Sequence, residues 1–278
     1  MSDSQVKITK HSPALWTATF DNPPINLIDY DTIAELSDLV TELESDADVR
    51  TIVFDSADPE YFFAHFDVLG DPARAARLLP TRTGMAPWID VLARLSRVPV
   101  VTIAAIRGRA RGAGSEFVLA CDMRFASREK AILGQPEIGI SAPPGGNPMV
   151  RMAELMGRGR TLEVVLGGDD FDADLAERYG YINRAVPDAE LDAFVQRFAE
   201  RVASFDKTAL AAAKSLVNDV TLPHDSVFPP ALDAFRKGVM SEDGRKRLGA
   251  LVSRGMQKRS ELERDFGRHI GPQASVGE

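Results

Sequence analysis

Apolar positions along this chain alternate between a two-residue and a three-to-four-residue period up to about residue 200. They follow the helical period alone beyond it. Residues 5–20 alternate and predict two short strands around a turn at Ser12-Pro13, followed by a rigid loop at Asn22-Pro-Pro-Ile-Asn26. A helix is expected from Thr32, where Thr-x-x-Glu35 forms a capping box and Ile33, Leu36, Leu39, Val40 and Leu43 share one face. Thr51–Phe54 reads as a buried strand, Phe62–Phe66 as an extended stretch, and 71–97 as helix interrupted near Pro80. The uninterrupted apolar run 98–106 predicts a strand covered on both faces. It leads through the glycine-rich turn Arg107–Gly112 into a short helix. Residues 148–219 read as helices around a strand at Tyr181–Val186, and beyond 220 the chain is helical and charge-rich, with Gly271–Glu278 a loose tail. The shift near residue 200 divides the chain into an α/β core, 1–200, and a helical region, 201–278.

Composition narrows the function classes. A net charge of −8 over 278 residues argues against non-specific nucleic-acid or anionic-membrane binding, which needs clustered positive charge. The single cysteine, Cys121, excludes an internal disulfide. The four histidines, His11, His65, His224 and His269, show no zinc-ligand spacing, and His65-Phe-Asp67 is the nearest approach to a metal pair. Met1-Ser-Asp-Ser-Gln5 lacks the apolar core of a secretory signal, and no run approaches the ~18 apolar residues of a membrane-spanning helix. A soluble, cytoplasmic protein is expected.

The candidate chemistry lies in two glutamates. Glu116 is the only charge in Gly112–Cys121, and Glu137 the only charge in Ala131–Val150. Carboxylates in such surroundings are expected to be desolvated, with raised pKa values suited to general acids and bases. Either could instead cap a helix or pair with an arginine from elsewhere. Strand, glycine turn and helix N-terminus leave backbone N–H groups free to bind a phosphate or a developing oxyanion. The glycine spacings of nucleotide loops are absent, which favours the oxyanion. Gly139-Ile-Ser-Ala-Pro143 lacks the second glycine of a serine-nucleophile turn, and Ser115 has no histidine nearby in sequence. Two carboxylates and an oxyanion site suit proton transfer beside a thioester or ketone carbonyl.

The residues that carry a family resemblance are Asn22-Pro-Pro-Ile-Asn-Leu27, Asp48–Phe54, Phe63-Ala-His-Phe-Asp67, Pro99–Gly108, Gly112-Ala-Gly-Ser-Glu116 with Cys121-Asp122, Gly134-Gln-Pro-Glu137, Pro144-Gly-Gly146, Val165–Gly168 with Ala176, and Ser241–Arg245. In order and spacing the chain resembles the enoyl-CoA hydratase/isomerase (crotonase) superfamily over nearly its whole length. That resemblance implies an α/β spiral of ββα units, and a helical C-terminal region that forms trimers or dimers of trimers and part of the acyl-CoA site. It further implies acyl-CoA thioester substrates, as in fatty-acid metabolism, with no metal or separate cofactor beyond the coenzyme A of the substrate. By motif position, the oxyanion-hole N–H groups fall on Phe66 and Ala113. Glu116 would activate water for attack at the β-carbon, and Glu137 would exchange the proton at the α-carbon. Ala64, His65, Asp67, Val68 and Gly145 would lie at the substrate.

Hydration of a 2-enoyl-CoA is the leading expectation. Double-bond isomerisation, a hydrolase or C–C-cleaving activity, and a non-catalytic acyl-CoA-binding or scaffold role are the alternatives. The chain departs from the family pattern at His65, where a glycine is usual and a positive φ would strain histidine; its ring could enter the site as an extra donor or line the coenzyme A channel. It departs again at Pro144-Gly-Gly-Asn-Pro148, where Asn147 and Pro148 are placed as N-cap and first residue of the next helix. Arg107, Arg109 and Arg111 could meet phosphates, or bond neighbouring subunits or solvent.

Overall fold

Two parallel-stranded layers grow together as the chain winds. In the computed structural model, which describes residues 4–271, strands β1 (Val6–Ser12) and β2 (Leu15–Phe20) form a hairpin, followed by helix α1 (Tyr30–Ser45). Then come β3 (Thr51–Ser56), β4 (Tyr61–Phe63), α2 (Pro72–Ala76), α3 (Pro87–Leu95), β5 (Val101–Ile106), β6 (Arg109–Arg111) and α4 (Ala113–Ala120). β7 (Met123–Ser127) and β8 (Ile132–Gly134) precede a 3-10 turn at Pro136–Ile140, α5 (Pro148–Gly167), β9 (Phe171–Asp172), α6 (Ala173–Tyr179) and β10 (Arg184–Val186). Helices α7 (Asp188–Ala203), α8 (Lys207–Thr221), α9 (Phe228–Val239), α10 (Glu242–Ser253), α11 (Glu261–Arg264) and α12 (Phe266–Ile270) complete the chain.

One sheet has the order β1-β2-β3-β5-β7-β10 and the other β4-β6-β8-β9. From β2 onward the first sheet is parallel, and β4, β6 and β8 are parallel in the second. Each pair β3/β4, β5/β6 and β7/β8 therefore adds one strand to each layer and returns through helix, which is the expected spiral of ββα turns. Strand β5 is buried along its whole length, as its continuous apolar run requires. Phe20, Phe54, Phe62, Phe63 and Phe117 fill the space between the layers, with the Phe20 and Phe63 rings 3.9 Å apart.

Several local expectations shift. Helix α1 is capped by Asp29, whose carboxylate accepts from the N–H groups of Asp31 and Thr32; Glu35 is drawn away from any capping box by the Gln5 and Val6 N–H groups. The stretch 71–97 holds two separate helices, and the extended stretch at 62–66 is a strand only over Tyr61–Phe63. Of Tyr181–Val186 only Arg184–Val186 pairs in a sheet. Asn147 does precede α5, but its side chain donates to the Val227 carbonyl and caps nothing. Met1–Asp3 of the amino-terminal reading, and all of the expected tail except Gly271, lie outside the described residues.

The C-terminal helices do not stand apart from the site. Ile140 and Ala142, just beyond Glu137, share a core with Leu251, Met256, Leu262, Phe266 and Ile270. Lys214 of α8 donates to Asp122 and to the Val100 carbonyl, which ties that helix to the turns that lead into β7 and β5 of the first sheet.

Candidate active site

Helix α4 sets Glu116. The chain leaves β6 through Gly112 at φ +51, a left-handed turn that glycine adopts without strain. Every residue of α4 is buried, and Gly114 lets the helix approach β4 so closely that a Cβ there would lie 2.4 Å from the Phe63 carbonyl oxygen. Glu116 is 4% exposed. Its carboxylate accepts from Trp88 Nε1 at 2.7 Å and from the Gly146 N–H at 2.8 Å. Glu137, 9% exposed in the 3-10 turn after β8, has Oε2 with no hydrogen-bond partner among the described residues. Among the described residues, neither glutamate caps a helix or forms an ion pair with an arginine.

Burial pushes both carboxyls above their ordinary value. For Glu137 desolvation is joined by the charge of Glu116, which lifts it to about 8; for Glu116 desolvation is opposed by the Trp88 and Gly146 donors. Two buried carboxyls this close do not both ionise readily. The N–H donors favour the anion on Glu116, so the shared proton belongs on Glu137.

Both glutamates face a cavity of about 280 Å³. His65, Phe66, Val68, Ala113, Glu116, Glu137 and Gly145 all line it, together with Trp88, Phe235, Met256 and Phe266. Ala64 and Asp67 do not: Ala64 is buried against Ile25 and Tyr61, and Asp67 accepts from the Leu69 N–H and Gln257. The bridge between Ile28 and Phe66 uses the N–H groups of Ile28 and Asp67, so the Phe66 N–H lies outside it. Ala113 is the first residue of α4, where an N–H has no intrahelical acceptor. The wall that carries the two carboxyls thus also carries two backbone donors without helix or strand partners.

Other candidates resolve differently from the sequence reading. His65 is neither strained at positive φ nor partly exposed; it is 6% exposed, and Glu263 of α11 holds its Nε2 at 2.9 Å. Ser115 is buried and hydrogen-bonded to the Tyr181 hydroxyl. The three arginines bond within the chain: Arg107 to Asp188 and Asp192, Arg109 to the Arg264 and Glu60 carbonyls, and Arg111 to Asp170 and the Glu263 carbonyl. Sequence reasoning missed Trp88, Gly146, Glu263 and the C-terminal aromatics. Of these only Gly146 carried a signal, as the second glycine of Pro144-Gly-Gly146.

Residues 11–250 match the family described as enoyl-CoA hydratase/isomerase. The short-chain-enoyl-CoA hydratase of Clostridium acetobutylicum is 26% identical, covering 83% of this chain and 87% of its own. A probable mitochondrial enoyl-CoA hydratase of Dictyostelium discoideum is 30% identical, covering 83% and 81%. The crystal structure of a candidate enoyl-CoA hydratase from Streptomyces avermitilis superposes with a TM-score of 0.92 at 45% identity, covering 98% of both chains.

Proposed function

The chain belongs to the enoyl-CoA hydratase/isomerase family, and from that premise we propose that it hydrates a 2-enoyl-CoA thioester through Glu116 and Glu137. The observation that carries this reading is the asymmetry of the pair. Glu116 accepts from two N–H donors and is suited to the anionic state of a base, whereas Glu137 has an oxygen without a partner among the described residues and a carboxyl lifted to about 8, suited to a neutral acid.

In this mechanism Glu116 takes a proton from water as the water oxygen bonds to the β-carbon. The double-bond electrons move onto the thioester as an enolate, whose oxygen accepts from the Phe66 and Ala113 N–H groups. Glu137 then gives its proton to the α-carbon, and exchange through solvent resets the pair. No separate cofactor takes part; coenzyme A enters as part of the substrate. We further propose a cytoplasmic enzyme assembled as a homotrimer or a dimer of trimers. Support for assembly comes from α8, which buries none of its residues while Leu216, Val217 and Val220 are 70%, 58% and 80% exposed.

The test is the loss of enoyl-thioester absorbance across short, long and aromatic 2-enoyl-CoA substrates. Formation of a 3-hydroxyacyl product from at least one substrate supports the proposal; no hydrated product from any of them, alongside a gain of enoyl-thioester absorbance when a 3-enoyl-CoA is supplied, would replace it with isomerisation.

Trp88→Phe keeps an aromatic ring in place and removes the indole donor. Because that donor stabilises the Glu116 anion, its loss is expected to raise the Glu116 pKa, move the acid limb of kcat to higher pH, and lower kcat at neutral pH by about tenfold. A pH–rate profile of the variant checks this, and an unmoved acid limb would count against Glu116 as the base.

A further inference from the structure

His65 stands beside the proposed oxyanion donor, and its ring is held at both ends. Nδ1 lies 2.8 Å from the carbonyl oxygen of Phe66, and Nε2 lies 2.9 Å from Oε1 of Glu263. The Phe66 carbonyl can only accept, which puts a proton on Nδ1, and the Glu263 carboxylate favours a second on Nε2, the imidazolium form. Burial opposes this charge, but the carboxylate of Glu263 and the two hydrogen bonds outweigh it and raise the histidine above its ordinary value. Glu263 is 0% exposed. Burial opposes its charge as well, but His65 and the Gln257 N–H, which donates to Oε1 at 2.6 Å, hold its carboxyl below the ordinary value.

The backbone around Phe66 explains what such a pair is placed to do. The peptide that carries the Phe66 N–H has its carbonyl, that of His65, bound by the Ile28 N–H at 2.9 Å. On the next peptide, the Asp67 N–H donates to the Ile28 carbonyl at 2.8 Å, and the Phe66 carbonyl takes the His65 imidazolium. Both peptide planes flanking Phe66 are thereby fixed, and with them the direction of its N–H. The anchoring end is rigid. Arg111, 1% exposed, donates to the Glu263 and Arg264 carbonyls while paired with Asp170, and Phe266 packs its ring 5.7 Å from that of His65.

We propose that His65 and Glu263 form a positioning dyad through which the C-terminal segment aims the Phe66 N–H at the substrate carbonyl. The proposal rests on reading Phe66 as an oxyanion donor. His65 lines the cavity, but both of its ring nitrogens are bound to Phe66 and Glu263, so the effect assigned to the dyad is carried by the Phe66 peptide.

The test separates the two ends of the ring. In His65→Gln the longer amide reaches Glu263 and keeps a donor on that buried carboxylate, but it leaves the Phe66 carbonyl without its partner. In the double variant His65→Asn with Glu263→Gln, the asparagine amide occupies the Nδ1 position and the buried charge is gone. Removal of an oxyanion donor costs about 100- to 1000-fold in rate, and a misaimed donor should cost part of that. His65→Gln in the full chain is therefore expected to lose about 10- to 100-fold in kcat with KM changed less than about threefold. The double variant is expected to recover kcat to within about fivefold of wild type. If folded His65→Gln keeps wild-type kcat, or its loss falls on KM alone, the dyad is overturned. If His65→Gln fails to fold, the double variant decides: recovery supports the dyad, and a loss of tenfold or more in a folded double variant overturns it. A wild-type enzyme that hydrates no enoyl-CoA would instead sink the parent reading.

Discussion

Replacing Glu137 by glutamine is expected to lower kcat for hydration by about 1000-fold, within the range that a positioned general acid contributes. Glutamine fits the same space and keeps a donor group, but it has no proton to give the α-carbon. Wild-type kcat should fall as pH rises past about 8, because Glu137 then loses the proton it must deliver. The sign follows from its role: an acid works in its neutral form, and burial together with the Glu116 charge holds that form into mildly alkaline pH. In Glu137→Gln the residual rate should show no such limb. Glu116→Gln should lose turnover to a comparable degree, since an amide cannot accept the water proton. The pair of variants also separates the family's two named reactions: a one-carboxylate isomerase would keep most of its activity in Glu116→Gln. Steady-state kinetics from pH 5 to 10 check both points, and a Glu137→Gln enzyme within tenfold of wild type would exclude Glu137 as the acid.

The two glutamates were legible because isolation in sequence is a statement about environment: a lone charge in a long apolar, glycine-rich segment has few ways to remain in water. The spiral was legible only through the family resemblance carried by the order and spacing of short motifs; the residues by themselves gave single elements, such as the run 98–106, which fits a strand covered on both faces. What could not be read depends on contacts between distant segments. Thr32 and Asp29 are both good capping residues, and Glu35 is taken out of a capping box by the N–H groups of Gln5 and Val6 at the start of β1, about 30 residues away. Glu263 sits among Glu261, Arg264 and Asp265, so nothing in its neighbourhood marks it as a carboxylate that folding takes out of water. His65 showed the reverse problem. Its departure from the family pattern was visible, but the meaning of the departure depended on a partner 198 residues away. Trp88 carries no sequence mark of its contact with Glu116, because an indole in an amphipathic helix reads as ordinary core.

Gly146→Ala should be among the most damaging single-methyl changes in the site, and Gly145→Ala beside it among the milder ones. A Cβ at Gly146 would fall 2.3 Å from Glu116 Oε2 and 2.5 Å from its Cδ, well inside contact distance. The carboxylate would have to move, and it cannot move without giving up the Gly146 N–H at 2.8 Å, the Trp88 donor at 2.7 Å, or both. Displacing a base by about 1 Å is enough to cost about 100-fold in rate, so kcat should fall by at least that much. Because the lost donors had favoured the anion, the acid limb of the profile should also shift to higher pH. A Cβ at Gly145 would instead meet the Phe235 ring at 3.1–3.3 Å, on the C-terminal helix α9. That ring lines the same cavity but makes no hydrogen bond to Glu116, and the contact is looser than the 2.3 Å clash at Gly146, so Gly145→Ala should change KM or acyl preference more than kcat. Kinetics of the two alanine variants with the same substrate panel decide the matter. Equal losses of kcat would mean that the loop acts as one packing unit, whereas the expected split would show that Gly146 is a glycine because the base needs the space.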